Sequence, residues 1–169
     1  MNQLDTNLTT LAISTQDKAE RSSIAFVQSC WHKEIVDQCR IAFLDEVAKR
    51  SPRPAVDVFE VPGAFEIPLQ AKLLARTGRH RAVVAAALVV DGGIYRHEFV
   101  AQAVVAALMQ IQLEVEVPII SAVLTPQRFH DHEEHRKFFR EHLVVKGIEA
   151  AAACLTTIDR IAGVKALSS

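Results

Sequence analysis

The sequence predicts an α/β domain: one doubly wound unit in which a four-stranded parallel sheet is covered by helices on both faces. Three observations carry that expectation. Short runs of strand-forming residues alternate with segments whose apolar residues recur every three or four positions. Ala82 to Val90 (AVVAAALVV) is apolar throughout, as a strand buried on both faces must be. The chain has 169 residues and a mass of 18.7 kDa, which favours one hydrophobic core over two.

The elements follow in order. Ser23 to Gln28 (SIAFVQ) reads as the first strand. Lys33 to Arg50 has helical spacing, with Val36, Cys39, Phe43 and Val47 on one face, and Pro52 and Pro54 end it. Ala55 to Val61 sets Val56, Val58 and Val61 among charged Asp57 and Glu60, a second strand, and Pro62-Gly63 turns the chain. Ile67, Ala71 and Leu74 mark a helix stopped by Gly78. After the third strand, Asp91-Gly92-Gly93 breaks the chain and a helix begins near Arg96. Between Ile111 and Val117 the apolar residues alternate as in a strand while continuing an Ala-rich helical run. The expectation is a helix to about Gln112, a turn, and a fourth strand from Ile119 to Leu124 after Pro118. Thr125-Pro126 has the residues of a helix start, cap then first position. That polar helix is expected to break before Lys146-Gly147, and a last helix to present Ile148, Ala151, Ala152, Leu155 and Ile158 on one face.

Charge excludes several function classes. Lys plus Arg (19) nearly cancels Asp plus Glu (20), and the pI is about 6.7. Non-specific nucleic-acid binding draws its affinity from neutralised phosphates, and no basic excess supplies it here. A polybasic membrane surface is excluded on the same ground, and the apolar run from Ala82 to Val90 is too short to span a bilayer. Cys30, Cys39 and Cys154 form no C-x-x-C pair and read as reduced thiols. Residues 1–20 lack a basic start and a continuous apolar stretch, so they read as a flexible arm ahead of a domain spanning 21–169, in a cytoplasmic protein.

Ligands of an open parallel sheet bind beyond the carboxyl ends of its strands. Four segments of unusual composition fall on that edge: Ser29 to His32, Pro62 to Glu66, Asp91 to His97, and Thr125 onward. Trp31, the single tryptophan, lies among polar neighbours just past the first strand, which favours a flat stacking surface over a core position. Gly63 and Gly92-Gly93 allow close backbone approach and free amides at helix starts, suited to anions; read alone they are ordinary tight turns. Glu66, read alone, complements a helix dipole. The segment HDHEEH (His130 to His135) invites a metal reading, but His132 and His135 are three apart and nothing completes a ligand set, so no metal is expected.

VPGAFEIP (Val61 to Pro68) resembles the second-strand motif of the lumazine synthase family. The likeness runs through the Gly92-Gly93 turn and Lys146-Gly147 and covers roughly Ser22 to Ala162; VVDGGIYRHEF (Val89 to Phe99) resembles the second bacterial type. The resemblance implies a flavodoxin-like fold and a transferase of riboflavin biosynthesis. That enzyme condenses 5-amino-6-(D-ribitylamino)uracil with 3,4-dihydroxy-2-butanone 4-phosphate to 6,7-dimethyl-8-ribityllumazine, releasing phosphate and water, without metal or organic cofactor. It implies that Trp31 stacks on the pyrimidine and that Ala64, Phe65 and Glu66 hold the ribityl chain and ring. By the same likeness Leu88, Val89 and Val90 meet the uracil edge, Gly93 and Ile94 offer amides to phosphate, and Ser121 contacts the pyrimidine. The family's proton-transferring His is matched by Arg96, with His97 next to it. The phosphate-clasping Arg, which a neighbouring subunit supplies, aligns with His135, and Lys146 joins the substrate-binding set. The resemblance further implies a homo-oligomer built from pentamers, a decamer for the second type, with sites at subunit interfaces. The helix from Phe99 to Ile111 (FVAQAVVAALMQI) is apolar nearly all round and asks for burial on every side. Three other functions stay open at this point: a riboflavin synthase of the archaeal type acting on lumazine, a flavin or lumazine carrier whose catalysis has decayed at Arg96, and a shell-forming protein without catalysis.

Overall fold

The computed structural model describes residues 23–94 and 96–167; the expected arm, residues 1–20, lies outside the described residues. Strands β1 (Ser23–Ser29), β2 (Ala55–Val61), β3 (His80–Leu88) and β4 (Ile119–Leu124) form one parallel sheet in the order β2-β1-β3-β4. Helices α1 (Lys33–Ala48) and α4 (Glu133–Ala166) cover one face, and α2 (Ile67–Arg76) and α3 (His97–Val115) the other. The doubly wound α/β expectation holds, with all four strands near their expected positions.

Side-chain alternation builds the two cores. On β1, Ile24 and Phe26 face α1 and α4, whereas Ala25 and Val27 face α2 and α3. Val36, Cys39, Phe43 and Val47 of α1 are buried against the first of these cores, as their spacing predicts. Cys39 and Cys154 belong to it, and burial pushes both thiols up to about 12, so they are inert core side chains. All three cysteines are free.

Three sequence expectations are corrected. First, α3 runs through Val115, not Gln112, and Glu116 ends it in the left-handed region (φ 53°). Ile111 is buried and Val115 half-buried on the face that carries Val104 and Leu108, while Leu113 is 73% exposed. The strand-like alternation is therefore the last five residues of the helix followed by buried Val117 beyond the cap.

Second, Thr125-Pro126 starts no helix; the chain is non-helical until His132 caps α4. Phe129 is buried with its ring 5.5 Å from that of Phe139 and 5.2 Å from that of His32, and this extended connection delivers it there. The competing start is stronger: the His132 side chain accepts the His135 amide, and Glu133 and Glu134 sit in the first turn.

Third, Lys146-Gly147 does not break the helix. α4 is continuous for 34 residues, about 50 Å at 1.5 Å per residue. Gly147 sits where α1 and α4 come closest: a Cβ there would lie 2.3 Å from the Cys39 carbonyl oxygen and 2.9 Å from the Ala42 Cβ. The buried stripe of α4 accordingly runs through Phe139, Leu143, Gly147, Ala150, Ala151, Cys154 and Ile158. Of the expected face, Ala151 and Ile158 are buried and Leu155 half-buried, whereas Ile148 and Ala152 are exposed.

Candidate active site

The strand order reverses direction between β1 and β3. From β1 the chain leaves to α1 on one face and from β3 to α3 on the other, which opens a crevice at their carboxyl ends. The Trp31 turn and the Asp91 to Arg96 connection both leave the sheet there.

Trp31 is 70% exposed. Its ring lies over Gly63: a Cβ on that glycine would sit 3.6 Å from two ring atoms. Gly63 donates its amide to the Glu66 carboxylate at 2.8 Å, closing the short 3-10 turn Ala64–Glu66 ahead of α2. Ala64 is buried, Phe65 points outward and Glu66 is exposed, so this turn presents a ring, a carboxylate and backbone beside Trp31.

On β3 and its extension, Leu88 and Val89 are buried, and Val89 donates its amide to the Leu124 carbonyl at 2.9 Å, which ties the extension to the end of β4. Val90 is half-buried and opens a groove of about 670 Å³, whose walls are the Asp91–Gly93 turn and the Arg128–Asp131 segment. Gly93 has φ 75°, a conformation that favours glycine, and donates its amide to the Asp91 carboxylate at 2.7 Å. Ile94 is exposed. Arg96 precedes α3 in extended backbone, with its guanidinium 4.9 Å from the centre of the Phe99 ring. His97, the first residue of α3, turns instead into a cleft with Thr125, Pro126 and Gln127; its side chain is 14% exposed and Nδ1 is 3.7 Å from the Glu98 carboxylate.

The remaining expected residues lie on β4 and α4. Ser121 is exposed on β4, paired in register with Ala85. His135 is half-buried at the start of α4, its ring 4.6 Å from His132 and 5.2 Å from His130, and its Nδ1 accepts the His130 amide at 3.1 Å. Among the described residues, no group of three His, Cys, Asp or Glu side chains is arranged to hold a metal ion. Lys146 is thirteen residues into α4, about 20 Å along the axis from its start, and pairs with Glu149 at 2.7 Å.

Sequence reasoning missed the far wall of the groove. Local signals place Arg128, Phe129 and His130 in a helix that does not form, and His32 in the sequence is only a polar neighbour of Trp31. His32 is left-handed (φ 52°) and lines the groove edge-on to Phe129.

Residues 21–162 match the sequence profile of 6,7-dimethyl-8-ribityllumazine synthase. The chain belongs to that family. It is 56% identical over 160 residues to 6,7-dimethyl-8-ribityllumazine synthase 2 of Pseudomonas syringae pv. tomato, an alignment covering 94% of each chain. It is 59% identical over 140 residues to the protein of the same name from Bradyrhizobium diazoefficiens, covering 83% of this chain and 84% of that one. Identity falls to 36% over 139 residues against 6,7-dimethyl-8-ribityllumazine synthase 1 of Caulobacter vibrioides, covering 82% and 89%. The chain is thus more similar to these two proteins named synthase 2 than to that synthase 1, in line with the resemblance of Val89 to Phe99.

Proposed function

We propose that this protein condenses 5-amino-6-(D-ribitylamino)uracil with 3,4-dihydroxy-2-butanone 4-phosphate to 6,7-dimethyl-8-ribityllumazine, with release of phosphate and water. One observation carries the reading: the exposed Trp31 ring stands over Gly63 beside the Glu66-closed turn, at the sheet edge where the connections from β1 and β3 leave to opposite faces. An aromatic face, a carboxylate and free backbone suit a polar heterocycle with a polyol tail.

In this reading Trp31 stacks on the pyrimidine, Ala64, Phe65 and Glu66 hold the ribityl chain, and the main chain at Leu88 to Val90 meets the uracil edge. The 5-amino group attacks the ketone to give an imine; phosphate elimination, tautomerisation and ring closure follow. Holding both substrates together removes much of the entropic barrier, so modest proton transfer suffices. Phosphate sits at the Gly93–Ile94 turn and takes the place of the Asp91 carboxylate on the Gly93 amide. Arg96 supports negative charge and His97 carries the proton. Ser121 contacts the pyrimidine from β4, His135 reaches the phosphate from the neighbouring subunit, and Lys146 joins the substrate-binding set. The reaction uses no organic cofactor or metal, and the protein works in the cytoplasm.

The test mixes both substrates with the protein and follows lumazine absorbance and phosphate release. Both signals are expected to rise together. Riboflavin formed from lumazine alone, or tight flavin binding without turnover, would overturn the assignment. Because Trp31 is the single tryptophan, lumazine titration should also quench its emission; an unchanged spectrum at saturation counts against stacking.

Assembly is part of the proposal. α3 is long and apolar enough to cross a membrane by length and composition, yet Val104, Leu108 and Ile111 pack into the sheet. Its other side leaves Phe99, Met109 and Leu113 exposed, beside Leu69 and Leu73 of α2. A patch of that kind asks for a partner, and a second copy of the same chain in a pentamer-based decamer supplies one. Light scattering at micromolar concentration is expected to give a decameric mass. Leu113→Asp with Met109→Asp is expected to break the assembly; a monomeric wild type would end the idea.

A further inference from the structure

We propose that Gln28, acting with Glu60, Lys33, Asp37 and Arg40, is a positioning residue that latches the Trp31 turn against the Gly63–Glu66 segment and so sets affinity for the heterocyclic substrate. The inference rests on Trp31 being the stacking platform, as proposed above.

Gln28 is fully buried on the β1 face whose other residues, Ile24 and Phe26, are core hydrocarbons. A leucine would fill that place without a polar group to satisfy. The amide is instead held on all sides. Nε2 donates to Asp37 Oδ1 at 2.7 Å and to Glu60 Oε1 at 3.4 Å, and Oε1 accepts from Arg40 Nε at 3.0 Å. Reversing the amide would put its oxygen against two carboxylates and its NH2 against a guanidinium, so only one orientation is satisfied. Arg40 also pairs with Asp37 at 3.0 Å, and Lys33 bridges Asp37 at 3.3 Å and Glu60. Burial alone raises the Asp37 carboxyl, but the hydrogen bonds from Gln28, Arg40 and Lys33 outweigh it and hold the group below its ordinary range.

Placement gives this network its role. Gln28 and Lys33 flank the turn from Ser29 to His32, one on the last part of β1 and the other opening α1. Glu60 reaches both of them, lies 3.9 Å from the Cys30 sulfur, and comes just before the Val61-Pro62-Gly63 segment under Trp31. The Cys30 amide donates to the Val61 carbonyl at 2.8 Å, a second tie between the same two loops. Trp31 itself is mostly exposed, so the backbone turn and its contact with Gly63 fix where the ring stands. Satisfied buried polar networks specify one arrangement more than they add stability.

The test uses the full-length assembled protein with Gln28→Leu, and with Glu60→Ala as a partly exposed change that leaves the core intact. Trp31 emission anisotropy, read without substrate, is expected to fall in both variants. KM for the ribitylaminouracil is expected to rise about five- to tenfold with kcat within about a factor of two and KM for the butanone phosphate unchanged. Wild-type anisotropy and KM in an assembled Gln28→Leu, or an equal loss across both substrates, would overturn the proposal. If Gln28→Leu does not assemble, Glu60→Ala decides by the same two readouts. Failure of the platform reading shows separately, as absence of Trp31 quenching by lumazine in the wild type.

Discussion

Replacing Gly147 by alanine is expected to destabilise the protein by about 3 kcal/mol or more, while the same change at Gly163, in the same helix, is expected to stabilise it slightly. Alanine is the better helix former by about 1 kcal/mol at both positions. At Gly163 no atom lies within 4 Å of the new methyl, so the propensity gain stands alone. At Gly147 the methyl would meet the Cys39 carbonyl oxygen at 2.3 Å and the Ala42 Cβ at 2.9 Å. The first is backbone in the middle of α1 and has no rotamer to yield, so the two helices must part along a contact that also seats Leu143, Ala150, Ala151 and Cys154. Separation opens gaps in a close-packed core, and that cost exceeds the propensity gain several-fold. Urea unfolding at one fixed protein concentration measures both changes on one scale. Equal midpoints for the two variants would show that the α1–α4 approach is looser than the structure has it.

Gly147 also shows why part of the chain was hard to read. A glycine inside a helical pattern signals a stop when only local preference is weighed, and Lys146-Gly147 looks like one. Its actual reason is a helix some hundred residues away in sequence, which no local pattern contains. Thr125-Pro126 fails for a related cause: as a cap it is locally sound, but Phe129 must reach the core between β4 and α4, and burying an aromatic ring outweighs a cap of about 1 kcal/mol. The strands were legible because their signal is itself about burial. Ala82 to Val90 has no polar residue, and in the structure every one of these residues but Val90 is buried.

The same limits shaped the candidate site. The turns after β1, β2 and β3 could be placed on one sheet edge from composition and topology alone, and Trp31, Gly63, Glu66 and Gly93 lie there. The Arg128 to Asp131 wall escaped notice because a helix had been assigned to it. The Gln28 network escaped because its members, spread from residue 28 to 60, become neighbours only when β2 pairs with β1.

Arg96 and His97 are expected to separate binding from proton transfer, the second large effect. The two residues are adjacent in sequence, but Arg96 is still extended while His97 is the first helical residue, and their side chains diverge. Arg96 lies on the surface over Phe99; His97 is mostly buried against Thr125 to Gln127. A guanidinium keeps its proton at any ordinary pH, so it holds an anion well and shuttles a proton poorly. An imidazole can both accept and donate a proton and carries no fixed charge, so it suits the transfer. Arg96→Ala is therefore expected to raise KM for the butanone phosphate by about tenfold or more, the loss of one charge-assisted contact, with a smaller change in kcat. His97→Gln keeps the volume and a hydrogen-bonding group and is expected to lower kcat about a hundredfold with little change in either KM. Steady-state kinetics on assembled variants across about pH 6 to 8, with each substrate varied in turn, distinguishes the roles, because one variant loses affinity for a single substrate and the other loses turnover. Full turnover by an assembled His97→Gln across that pH range would make its burial purely structural, and His135, clustered with His130 and His132 at the start of α4, becomes the next group to replace.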